Sequence, residues 1–210
     1  MEMNLEKSAL IIVDVQNDFL PGGALAVTHG DQILPLINEL QQKFKFTVAT
    51  QDFHPSDHGS FAANHKGKNI GELIDLHGLS QILWPVHCVQ GSEGAAFHSD
   101  LNQEKWKAIF QKGKNPAVDS YSGFFDNARR GDTGLGDFLI KNGIKSVYIS
   151  GLALDYCVKY TALDAMSLGF DTFLIVDATR PVNLDPSDGQ KAIEELIQAG
   201  VKIIKSNELT

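Results

Sequence analysis

The sequence predicts a single α/β domain over 1–210, a doubly wound, six-stranded parallel sheet with Rossmann-like, right-handed crossovers. Three observations carry this. Short apolar runs alternate with segments whose apolar residues recur at helical spacing. Glycines stand where the helices should stop. Side chains capable of chemistry follow the apolar runs, and ligands bind beyond the carboxyl ends of the strands in such sheets.

The elements follow in order. The run 9–13, Ala-Leu-Ile-Ile-Val, reads as a strand buried on both faces. Apolar positions over 33–44 predict a helix, and 46–50 a second strand. A third strand is expected at 106–111, then a helix at 135–142 closed by Gly143, and a fourth strand at 147–150. The helix 155–168 ends at Gly169, and 172–176 is the fifth strand. Ser187 is placed to cap a helix over 187–199 that Gly200 stops, and 201–204 is the sixth strand. The stretch 55–105 has little periodicity, although 72–83 fits a short helix. A loop of this length in a compact domain is usually functional. It carries His58, His65, His77, Trp84, His87, Cys88 and His98.

Composition narrows the function classes. Hydrophobic residues make up 43% and charged residues 21% of the chain, ordinary values for a globular protein. A net charge of -8 argues against a nucleic-acid footprint. Two cysteines are not a disulfide framework. Met1 to Lys7 lacks the positive start of a signal peptide, and 9–13 is too short to cross a bilayer. The expectation is a cytoplasmic protein with free thiols that acts on a small molecule and uses neither nucleic acid nor membrane. Nothing in this reading excludes a homo-oligomer.

The chemistry centres on Cys157. It follows the apolar run 146–150, a glycine at 151 and a turn, and it opens a predicted helix. The unpaired N–H groups of a helix start favour a thiolate. Asp14 follows the first strand and Lys114 the third. A carboxylate can take the thiol proton, and a lysine ammonium can steady the anions, so Asp14, Lys114 and Cys157 form a candidate nucleophilic set. Asp52, Phe53 and His54 follow the second strand, and alternation puts Asp52 and His54 on one side. With His87, on a loop stiffened by Pro85, they make a two-His, one-carboxylate metal set that suits zinc, iron or manganese. His58 is an alternative or outer ligand, and Cys88 reads as packed. An iron oxygenase could use the same metal triad, but it would leave Cys157, Lys114 and Asp14 without a role.

Four segments then resemble the nicotinamidases of the isochorismatase-like cysteine-hydrolase superfamily. They are Ala9-Leu10-Ile11-Ile12-Val13-Asp14-Val15-Gln16-Asn17-Asp18-Phe19, Gln51-Asp52-Phe53-His54-Pro55, Trp84-Pro85-Val86-His87-Cys88-Val89 and Gly151-Leu152-Ala153-Leu154-Asp155-Tyr156-Cys157-Val158. Lys112-Gly113-Lys114 and Asp119-Ser120-Tyr121-Ser122-Gly123-Phe124 fit as well. The resemblance implies an isochorismatase-like hydrolase fold and hydrolysis of nicotinamide through an acyl-enzyme in NAD salvage, pyrazinamide included. It implies Cys157 as nucleophile, Asp14 as proton carrier and Lys114 as charge stabiliser. It implies a divalent metal, most readily zinc, on Asp52, His54 and His87, facing the pyridine nitrogen. The backbone N–H groups of Ala153 and Cys157 would form the oxyanion hole, with a cis peptide before Ala153. Phe19, Trp84 and Tyr121 would line an aromatic slot. Leu154 departs from the threonine of many relatives, with little chemical effect expected, and 61–65 could add an outer contact near His65.

Overall fold

The computed structural model describes residues 5–209. Met1 to Asn4 and Thr210 lie outside it, and with them part of the N-terminal reading. The main sheet contains β1 (Ser8–Val13), β2 (Thr47–Asp52), β5 (Trp106–Lys112), β6 (Ser146–Leu152), β7 (Asp171–Arg180) and β8 (Lys202–Ile204). Its order is β5-β2-β1-β6-β7-β8, and every pairing is parallel. The chain therefore starts at the centre, winds outward through β2 and β5, and returns to pair β6 with β1. The order reverses between β1 and β6, so a crevice opens beyond their carboxyl ends.

Strand alternation divides the core between the two faces. Leu10 and Ile12 pack with Ile37 and Leu40 of α1 (Leu34–Lys43). Ala9, Ile11 and Val13 pack against α2 (Leu135–Lys141), α3 (Lys159–Ser167) and α4 (Asp188–Gln198) through Leu139, Ala162, Ala165 and Leu196. One helix covers the first face and three cover the second. Each of these strand residues is fully buried, as expected for a parallel sheet covered on both sides.

The predicted helix stops hold, since Gly143, Gly169 and Gly200 all take positive φ. Ser187 stands at the start of α4 without capping it by its side chain. The Asn183 Oδ1 accepts the Gly189 N–H at 2.8 Å instead. The short helix expected at 72–83 is a hairpin, β3 (Leu73–Leu76) and β4 (Leu79–Ile82). His77 and Gly78 both have positive φ, the mark of a two-residue turn matched to strand twist. The fifth strand does not stop at Val176 either. β7 continues to Arg180, and the Asp177 carboxylate accepts Ser206 N–H at 2.9 Å and Ser206 O–H at 2.6 Å.

Candidate active site

Asp14 follows β1 in the left-handed region, with φ at +48°. Its Oδ1 accepts the Thr50 hydroxyl of β2 at 2.7 Å. Cys157 comes from the turn Leu154–Val158 that joins β6 to α3. Gly151 makes this approach feasible, because a Cβ there would lie 2.1 Å from the Val13 carbonyl oxygen. The Leu152–Ala153 peptide is cis.

The lysine in this cluster is Lys112, and the assignment to Lys114 is corrected. β5 runs one residue further than the apolar run suggests, pairing Lys112 with Asp52. The ladder thus carries the Lys112 ammonium inward. Its Nζ lies 2.9 Å from Asp14 Oδ2, 2.7 Å from Asp52 Oδ1, 2.8 Å from the Ser120 carbonyl and 3.4 Å from Cys157 Sγ. Gly113, at φ +67°, turns the chain outward, and Lys114 is exposed.

Burial decides the charges. It works against the Lys112 ammonium, but Asp14 and Asp52 more than offset it and raise its pKa well above the usual lysine value. Burial also raises Asp14 above the ordinary carboxylate value, despite Lys112. Asp52 goes the other way: burial would raise it, yet Lys112 and His54 hold it well below. The Cys157 thiol is pushed well up by burial, against the pull of Lys112. The helix start is expected to lower the thiol pKa; burial instead raises it, beside an aspartate whose own pKa burial also raises.

The metal set also assembles. Donor atoms of Asp52, His54 and His87 all lie within 4.8 Å of one another. The Nε2 atoms of His54 and His87 are 3.3 Å and 3.5 Å from Asp52 Oδ2. The Nδ1 of His54 donates to the Gly113 carbonyl at 2.9 Å, and that of His87 to the Pro85 carbonyl at 2.8 Å. These bonds point both Nε2 atoms at Asp52 Oδ2, the arrangement by which outer partners prepare imidazoles for a metal. Asp52 Oδ1 is already engaged by Lys112, which leaves Oδ2 as its donor. The set fits a divalent cation.

The other loop residues divide. His58 is buried, its ring centre is 4.3 Å from that of His54, its Nδ1 meets Ser60 Oγ at 2.7 Å, and its Nε2 has no hydrogen-bond partner among the described residues. Burial drops its pKa to about 4. The His65 Nε2 bonds to the Gly59 carbonyl at 2.7 Å, a loop-fastening contact. Cys88 is buried with its thiol pushed well up by burial, consistent with packing.

Phe19, Trp84 and Tyr121 line one slot with Asp52, His87, Ala153 and Cys157. Trp84 Nε1 donates to the Tyr121 hydroxyl at 3.2 Å, and the Phe19 and His87 rings lie 5.6 Å apart. Sequence reading missed Tyr156, whose ring stands edge-on to Trp84 at 4.8 Å, and also Leu25, Asp119 and Val182. Tyr156 directly precedes the cysteine, so the loop-to-helix motif itself was the available signal.

A buried cysteine, lysine and aspartate gather at the switch point of a parallel sheet, next to a metal-ready triad, in an α/β fold of the isochorismatase-like hydrolase class. The Isochorismatase domain family model matches residues 8–208, and the chain belongs to that family. It is 48% identical to a nicotinamidase of Escherichia coli strain K12 over 199 residues, 93% of each chain. A solved Acinetobacter baumanii nicotinamidase pyrazinamidase superposes with a TM-score of 0.95 at 46% identity, covering 98% of this chain and 99% of that one. A Pyrococcus horikoshii pyrazinamidase in complex with zinc gives 0.78 at 41% identity, covering 95% and 99%.

Proposed function

We propose that the chain hydrolyses nicotinamide to nicotinate and ammonia through a Cys157 thioester, in NAD salvage, and that it also accepts pyrazinamide. One observation carries the chemistry: Lys112 Nζ touches Cys157, Asp14 and Asp52 at once. The nicotinamidases among the relatives support the substrate.

The ring enters the slot between Phe19, Trp84, Tyr121 and Tyr156, which places the carboxamide over Cys157. Such positioning can lower a barrier by roughly 7–11 kcal/mol. The Cys157 proton passes to Asp14 as Sγ bonds to the carboxamide carbon. The raised pKa of Asp14 makes it a better base, and the still higher thiol pKa favours transfer in step with attack. The oxyanion turns to the backbone N–H groups of Ala153 and Cys157, each worth about 3 kcal/mol in acyl transfer. Lys112 balances the negative charge throughout. As the C–N bond breaks, Asp14 gives its proton to the leaving ammonia. Water then attacks the thioester while Asp14 takes its proton, nicotinic acid departs and loses its proton to the released ammonia, and the proton on Asp14 returns to sulfur.

Asp52, His54 and His87 would hold the divalent metal, with zinc the first candidate. When bound, it supplies a Lewis-acidic anchor for the pyridine nitrogen. Among the described residues no helix is long and apolar enough to cross a membrane. The free thiols support a cytoplasmic setting. Ammonia release from nicotinamide by zinc-loaded protein tests the proposal. Steady release is expected, and its absence with intact, metal-bearing protein overturns it.

A further inference from the structure

The segment after β1 sends alternate side chains toward the metal set without touching the slot. Gln16 is fully buried and grips the peptide of Asp52 from both sides. Its Oε1 accepts the Asp52 N–H at 2.8 Å, and its Nε2 donates to the Asp52 carbonyl and to the Ala95 carbonyl, each at 2.8 Å. Two residues on, the Asp18 carboxylate holds the other arm. Its Oδ2 accepts the Cys88 N–H at 2.7 Å, one residue past His87. The Cys88 carbonyl in turn accepts the His54 N–H at 3.0 Å. Asp18 Oδ1 accepts the Ala24 N–H at 3.2 Å, and its own carbonyl accepts the Leu25 N–H at 2.9 Å. Leu25 lines the slot. The fit around Asp18 is tight, since a Cβ on Gly94 would fall 2.1 Å from Asp18 Oδ2.

From this geometry we propose that Gln16 and Asp18 are positioning residues that set the metal triad, and that Asp18 also sets the Leu25 wall of the slot. This rests on the reading of Asp52, His54 and His87 as metal ligands. The residue types are specific to the task. Gln16 needs one acceptor and two donors. Asp18 faces two N–H groups, so an asparagine would turn its own NH2 against one of them. Partners of metal ligands typically govern affinity by about 10–100-fold.

The test compares wild type with Asp18→Asn and Gln16→Met. Zinc affinity is measured by competition with a chromophoric chelator, nicotinamide KM at saturating zinc, and Cys157 reactivity by iodoacetamide alkylation. Both variants should bind zinc about 10–100-fold more weakly, with alkylation unchanged. Only Asp18→Asn should keep a raised KM once zinc saturates. Variants that lose thermal stability yet bind zinc like wild type would overturn the proposal, as would a raised KM in Gln16→Met alone. Should Asp18→Asn fail to fold, Gly94→Ala displaces the same carboxylate and is read in the same assays. Wild-type protein that neither binds zinc nor releases ammonia would instead sink the functional reading beneath it.

Discussion

The groups that react and the groups that recognise are held in different ways. Asp14, Lys112 and Cys157, joined by Asp52 of the metal set, sit at or just past the ends of four neighbouring parallel strands, so the hydrogen-bond ladder sets their spacing. His54, Trp84 and His87 lie in the long connection between β2 and β5, outside the parallel ladder of the main sheet and outside the β3–β4 hairpin. Single bridges hold that connection: His54 pairs with Val89, and Phe61 with Trp84. Side-chain bonds to backbone do the rest, from His54 to Gly113 and from His87 to Pro85. Changes at the strand ends should therefore strike chemistry and folding, whereas changes in the loop should strike metal and substrate binding.

The largest effect falls at the strand ends. Asp14→Asn keeps the shape but removes the proton carrier, and kcat for ammonia release should fall by about 10²–10⁴-fold. A rise in KM with kcat unchanged would move Asp14 to the recognition set. Lys112→Met leaves two buried carboxylates facing each other. Breaking a buried pair this way costs about 3–5 kcal/mol, readable by urea unfolding. Lys114→Met, at an exposed site, should stay within about 0.5 kcal/mol. Equal effects for the two lysines would erase the distinction between them.

His54, at the start of the loop, should respond differently. Gly113→Ala would put a Cβ 2.4 Å from His54 Cε1 at a φ of +67°. Zinc affinity should drop about 10–100-fold, by disturbing the bond that orients His54. Unchanged affinity would show that this carbonyl does not orient the ligand. The smallest effect concerns protons. Burial would lower the His54 pKa, but Asp52 overrides it and raises it above 6.5. In the metal-free site His54 therefore holds its proton to a higher pH than a free imidazole, and zinc must displace it. Affinity should rise as pH climbs through that raised pKa. Titration calorimetry at pH 7 in two buffers of different ionisation enthalpy should report net proton release; identical heats would contradict it.

The same division explains what the sequence made legible. Asp14, Asp52 and Cys157 follow apolar runs, so fold and chemistry were read together. Lys112 and Lys114 both follow the expected strand 106–111, and only the one-residue extension of β5 and the outward turn at Gly113 tell them apart. The β3–β4 hairpin escaped because Leu73, Ile74, Leu76 and Leu79 also fit helical spacing, and only His77-Gly78 marks the turn. Gln16 and Asp18 carry no chemistry of their own, and their partners lie 36 and 70 residues away. No local pattern encodes such bonds.

Cys157→Ala tests the central assignment most directly. The zinc-loaded variant should fold, bind zinc as wild type does, and release no ammonia from nicotinamide, with a loss of about 10⁶-fold, the scale seen when an acyl-transfer nucleophile is removed. Turnover within tenfold or so of wild type would mean that water attacks the amide directly and that the thiol beside Lys112 is not the nucleophile.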